Sequence, residues 1–133
     1  MKIQETQDGW EMLLEDGHML LIQIDFRVAF DFADGSDSAT LTIETEFRLK
    51  GPDVDKLLNP EESSTLGPIL PLHKAKIVSV DFKRTGQLKI EFGEGYSIEV
   101  GPNDRYEAWQ LGCTTPRSRF ICTPGGDVSR FDS

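Results

Sequence analysis

The sequence predicts a mainly β protein, in which antiparallel meanders with short helices form a sandwich or half-open barrel through an internal duplication. Two observations carry this reading. Residues 77–111 hold three consecutive runs of alternating apolar and polar side chains: Val78, Val80 and Phe82, then Leu88, Ile90 and Phe92, then Tyr96, Ile98 and Val100. A period of two over three runs, punctuated by Arg84-Thr85-Gly86 and Gly93-Glu94-Gly95, means half-buried antiparallel strands. The first half of the chain then repeats the pattern. Ile22, Ile24 and Phe26 line up with Val78, Val80 and Phe82, and Val28, Phe30 and Phe32 with Leu88, Ile90 and Phe92. Thr42-Ile43-Glu44 corresponds to Ser97-Ile98-Glu99 after a small shift in register.

Taken in order, Asp8 is placed to cap a short helix over 9–15, with Trp10, Leu13 and Leu14 as its apolar stripe and Gly17 as its stop. Strands are expected over 19–26 and 27–33, with a turn at Asp34-Gly35-Ser36. The run 39–49 reads as one long strand with Leu41, Ile43, Thr45, Phe47 and Leu49 inward. Gly51-Pro52 breaks it, 53–59 suits a turn of helix, and Pro60, Pro68 and Pro71 make 61–72 a loop or short helix. After the meander, short strands are expected over 106–112, 118–123 and 128–131, with a tight turn at Pro124-Gly125-Gly126-Asp127. The 133 residues suit a single domain, with repeat halves over 9–50 and 66–112 and a terminal hairpin over 106–131.

Charge narrows the choice of partner. Residues 1–66 carry 5 basic and 15 acidic side chains, a net −10, whereas 67–133 carry 9 and 8, a net +1. An acidic first half disfavours phosphate neutralisation, hence nucleic acid, and attracts a basic surface; solubility alone is the plainer alternative. No apolar run approaches the roughly 20 residues of a membrane span. The first residues lack the basic and apolar regions of a signal peptide, so the expected location is the cytoplasm. Cys113 and Cys122 flank a hairpin whose loop would hold Thr114, Thr115, Pro116 and Arg117. Cys113 then pairs with Ser118, and the two thiols read as buried and inert rather than bonded.

The parts of a catalytic site do not assemble in the sequence. His18 and His73 each stand where a helix-like stretch meets a strand, the usual setting of a surface histidine rather than a general base. No nucleophile elbow, phosphate loop or dinucleotide fingerprint is present, and no cofactor is expected. Asp31, Asp34 and Asp37 invite a calcium reading, but their spacing departs from the EF-hand loop. Tyr106-Glu107-Ala108-Trp109 places its two aromatics on opposite faces of a strand, as core residues or as interface anchors.

Most of the chain, and most specifically Gly67 to Phe131, resembles a family of small bacterial proteins known as a domain of unknown function. The resemblance rests on Tyr106-Glu107-Ala108-Trp109 followed by Pro124-Gly125-Gly126-Asp127 and an aromatic finish at Phe131. Asp127 replaces the family's usual glutamate and Phe131 its common tryptophan, and the first half is unusually acidic. The resemblance implies no catalytic residue. The expected function is a non-enzymatic binding protein, such as an immunity-type inhibitor of a basic toxin. Asp31, Asp34, Asp37, Glu44 and Glu46 would steer the partner, and Tyr106 and Trp109 would anchor it. The alternative is a structural, self-assembling β module.

Overall fold

The computed structural model describes residues 1–114 and 117–132, so Thr115 and Pro116 of the expected hairpin loop lie outside the described residues. The chain begins with strands β1 (Lys2–Glu5), β2 (Gly9–Leu13), β3 (Gly17–Ile24), β4 (Val28–Asp34) and β5 (Asp37–Ile43). Two strands, β6 (Phe47–Gly51) and β7 (Val54–Leu58), precede 3-10 turns at Ser63–Thr65 and Gly67–Leu72. Then come β8 (Lys76–Lys83), β9 (Leu88–Phe92), β10 (Ser97–Val100), β11 (Trp109–Thr114), β12 (Arg117–Cys122) and β13 (Val128–Asp132). All pair antiparallel in one open sheet of order β13-β12-β11-β5-β4-β3-β8-β9-β10-β6-β7, with the β1–β2 hairpin added beside β8. The sheet does not close into a barrel.

It folds over on itself instead. Phe82 of β8 meets Phe120 of β12 with ring centroids 4.7 Å apart and Trp109 of β11 at 5.6 Å, although three strands separate β8 from β11 and four separate it from β12 in the sheet order. Trp10 of β2 joins the stack against Phe82 and Phe120. One hydrophobic core therefore lies between two layers of the same sheet, lined by strictly alternating positions such as Val28, Phe30 and Phe32.

The two halves share a plan. The meander β3-β4-β5 lies beside the meander β8-β9-β10, and the hairpin that follows each is donated to the other: β6–β7 joins β10, and β11–β12 joins β5. The ladders match residue for residue. A bulge falls between Met19 and Leu21 in β3 and between Ile77 and Ser79 in β8. Ile24 faces Val28 as Phe82 faces Leu88, and Val28 faces Ile43 as Leu88 faces Val100. Ile22 is thus the counterpart of Val80, two residues from the partner the sequence alignment assigns it. Ile43 likewise matches Val100 rather than Ile98.

Four expected elements are corrected. Residues 9–15 are not a helix: Trp10 and Met12 alternate into the core as β2 pairs with β8, while Leu13 is left exposed. Residues 39–49 are not one strand, because the chain leaves one layer at 44–46 and enters the other. Residues 53–59 hold β7, the return strand of a hairpin on β6. Val78 points outward at the bulge, and Ile77 takes its place in the core.

Candidate functional site

The exchange of hairpins requires two connections between the layers, 44–46 from β5 to β6 and 101–108 from β10 to β11. They meet at one end of the molecule. Asn103 Nδ2 donates to Thr45 Oγ1 at 3.1 Å, and the Glu44 amide donates to the Ala108 carbonyl at 2.9 Å. Asn103 Oδ1 accepts from the amides of Arg105 and Tyr106, at 2.8 and 3.3 Å, a side-chain-closed turn that throws the Tyr106 ring outward to 53% exposure.

Beside this crossing is a cleft of about 560 Å³ lined by Glu44, Glu46, Leu57, Asn59, Glu61 and Tyr106, among others. It runs into a smaller recess of about 260 Å³ between Phe26, Glu44, Glu61 and Tyr106. Phe26 is the most unusual residue of the site. It sits in the tight turn from β3 to β4, closed by the Asp25 amide donating to the Arg27 carbonyl at 2.9 Å. Its φ is +54° and its ring is 80% exposed. A bulky side chain in the left-handed region costs on the order of 1 kcal/mol or more, and burial gives nothing back here. Arg27 Nη1 lies 3.7 Å from Glu44 Oε1, a half-exposed pair that offsets part of the carboxylate charge. The site therefore presents three carboxylates and two aromatic rings to solvent, with Leu57 as an apolar floor element.

The structure brings together three of the residues singled out in the sequence, Glu44, Glu46 and Tyr106. The other four lie away from this cleft. Trp109 is fully buried at the layer interface, where its Nε1 donates to the Gly86 carbonyl at 2.8 Å; it anchors the core, not a partner. Asp34 is buried and accepts from the Asp16 and Glu15 amides at 2.7 and 3.1 Å, with the Met1 ammonium 3.1 Å away. Burial alone would raise its carboxyl pKa, but those amides and the ammonium outweigh it and hold the group below its ordinary value. Asp37 takes the same ammonium at 3.2 Å, and Asp31 accepts from the Thr40 hydroxyl at 2.6 Å. These aspartates fasten the chain's first residue and the β4–β5 hairpin.

Phe26, Leu57 and Glu61 escape the sequence reading. Phe26 looks like the last inward residue of a strand, and only its backbone dihedral reveals a turn. His18 Nδ1 and His73 Nε2 each lie 3.1 Å from a backbone carbonyl, of Asp16 and Leu20, and neither lines the cleft. Both thiols are buried, which raises their pKa values; Cys113 Sγ lies 3.6 Å from the Ser118 carbonyl and Cys122 Sγ 3.9 Å from that of Gly86. A second concavity of about 600 Å³ is a trough of mixed polar and apolar lining over β5, β11 and β12, with Gly112 among its residues. Within it Arg119 donates to Gln110 and Ser118 donates to Asp132.

A family model described as "Family of unknown function (DUF6188)" matches residues 10–132. The chain belongs to the DUF6188 family. The match spans both meanders and both exchanged hairpins, so the cleft formed by their connections lies within the family's domain. No curated protein and no solved structure matches the chain. Among the described residues, no helix is long and apolar enough to cross a membrane.

Proposed function

We propose that this DUF6188 chain is a binding protein whose acidic, aromatic-lipped cleft docks a basic segment of another protein. The observation that carries the reading is Phe26, an aromatic displayed in a disfavoured conformation beside Glu44, Glu61 and Tyr106. Carboxylates steer a cationic partner and raise its association rate, and the two rings and Leu57 supply apolar contact and cation–π surface. An immunity-type inhibitor of a basic toxin is one protein of this kind, and a cytoplasmic location suits it. No step of bond-making chemistry is assigned to the cleft. We also read the chain as an internal duplication, supported by the paired bulges and the reciprocal exchange of hairpins.

A self-assembling β module is the second reading, favoured by the exposed apolar side chains of β3. Affinity capture from the native cell at low and moderate salt separates the two. The wild type should retain a basic protein that the double variant Glu44→Lys/Glu61→Lys loses. Identical retention by both proteins, or recovery of the chain alone, overturns the cleft reading.

A further inference from the structure

The shared plan of the two halves breaks at the outer edges of β3 and β8. In the second half, the outer edge of β8 is covered: β2 pairs along it, with Trp10 opposite Phe82 and Met12 opposite Val80. All four side chains are buried. The counterparts of Phe82 and Val80 in β3 are Ile24 and Ile22. Among the described residues, β8 pairs with β3 only at Gly17 and His18, and beyond Leu20 the outer edge of β3 has no ladder partner. Ile24 is consequently 42% exposed where Phe82 is fully buried.

The segment that stands where β2 stands in the first half is the turn Gly67–Leu72. Pro68 and Pro71 deny it the amides and extended dihedrals of a strand. Its neighbour His73 touches the edge only once, at the Leu20 carbonyl. Alternation along the antiparallel ladder gives the direction of the remaining groups. Asp25 bonds inward to Arg27, so the amides and carbonyls of Ile22 and Ile24 face outward, as those of Val80 and Phe82 face β2.

We propose that this edge is a strand-addition site for an extended segment of a basic partner protein. The proposal rests on the cleft reading and specifies how the partner engages. The molecule supplies the template for the occupant. A strand antiparallel to β3, as β2 is to β8, sets a large apolar side chain over Ile24 and a second, two residues later, over Ile22. Its N-terminal flank then runs past Phe26 into the recess with Glu44 and Glu61. Basic residues therefore belong before the apolar pair, not after it. Main-chain bonds provide affinity and the alternate side chains provide specificity, the usual division in β-augmentation. The local carboxylates, Asp25 among them, and the net charge of −9 select such a segment over a second copy of this acidic chain.

The probe is the peptide Lys-Arg-Gly-Trp-Gln-Met-Gly, compared with the same peptide N-methylated at Trp and Met and with one carrying Lys-Arg at the other end. Amide hydrogen exchange of the full chain is followed by NMR. With the first peptide at saturation, exchange at Ile22 and Ile24 should slow at least tenfold; N-methylation should abolish the protection, and moving the basic pair should weaken binding several-fold. Binding that shifts Phe26, Glu44 and Tyr106 resonances without protecting Ile22 and Ile24 overturns strand addition and leaves the cleft reading standing. Loss of peptide response in Glu44→Lys/Glu61→Lys supports both. Absence of binding at low salt overturns strand addition. So does protection of these amides in the peptide-free protein accompanied by a doubled mass in light scattering, which would assign the edge to a second copy.

Discussion

Phe26 and Asp34 show how differently two singular residues are stabilised. Nothing around the Phe26 ring compensates its left-handed backbone, so Phe26→Asn should raise stability by about 1 kcal/mol while weakening partner retention. Urea unfolding and affinity capture, run on the same preparation, test both halves of that expectation. Asp34, by contrast, is held by two amides and an ammonium. Asp34→Asn should cost about 1–3 kcal/mol, since it weakens charge-assisted, part-buried bonds to two amides and the ammonium. The sign with pH follows from the depressed carboxyl pKa. Its contribution is present above the ordinary value of 3.8 and is lost as pH falls through the lower folded-state value. Stability curves between pH 5 and pH 2 should accordingly fall less steeply in Asp34→Asn. Asp8, beside Lys83, and Asp132, beside Arg130, are also depressed and keep their share of the acid dependence in the variant.

At the scale of elements, the turn from β8 to β9 is the tightest joint between the layers. Gly86 has a φ of +96°, and a Cβ there would stand 2.8 Å from the Gly126 carbonyl oxygen and 2.9 Å from Cys122 Sγ. Its carbonyl also receives the Trp109 indole proton. Gly86→Ala should lower stability by roughly 2 kcal/mol or more, read as a drop in thermal midpoint with the mainly β far-ultraviolet spectrum retained below it. Much of this level was legible in the sequence. The meander at β8-β9-β10, the β4 alternation, the turns and the Cys113–Ser118 pairing all follow from local periodicity. What was not legible depends on partners distant in the chain. β2 carries a stripe compatible with a helix, and only β8 across the sheet makes it extended. The alternation of 39–49 continues unbroken through Thr45, so nothing local marks where the chain changes layers. A bulge displaces Val78 by one position, which a strict period of two cannot anticipate. Trp109 illustrates the same limit at the site: burial at 0% is decided by Phe82 and Gly86, more than twenty residues away.

For the whole molecule, the reciprocal exchange of hairpins has a consequence that local sequence does not announce: it places two interlayer connections side by side, which forms the cleft. The acidic excess of the first half is then split between two ends. Asp34 and Asp37 serve the fold, whereas Glu44, Glu46 and Glu61 face solvent at the cleft. Association with a basic partner should slow as salt rises, because the Debye length shrinks from about 10 Å at 0.1 M to about 3 Å at 1 M. Glu44→Lys/Glu61→Lys should flatten that dependence in stopped-flow mixing while leaving the unfolding free energy within about 0.5 kcal/mol of the wild type, since both side chains lie outside the core. The most direct test of the account is hydrogen–deuterium exchange of the full chain with and without the basic protein it retains. The cleft reading predicts slowed exchange at 26–27, 44–46, 57–61 and 103–106, strand addition adds Ile22 and Ile24, and little changes elsewhere. Slowed exchange confined to the trough over β5, β11 and β12, with the cleft unaffected, would contradict it.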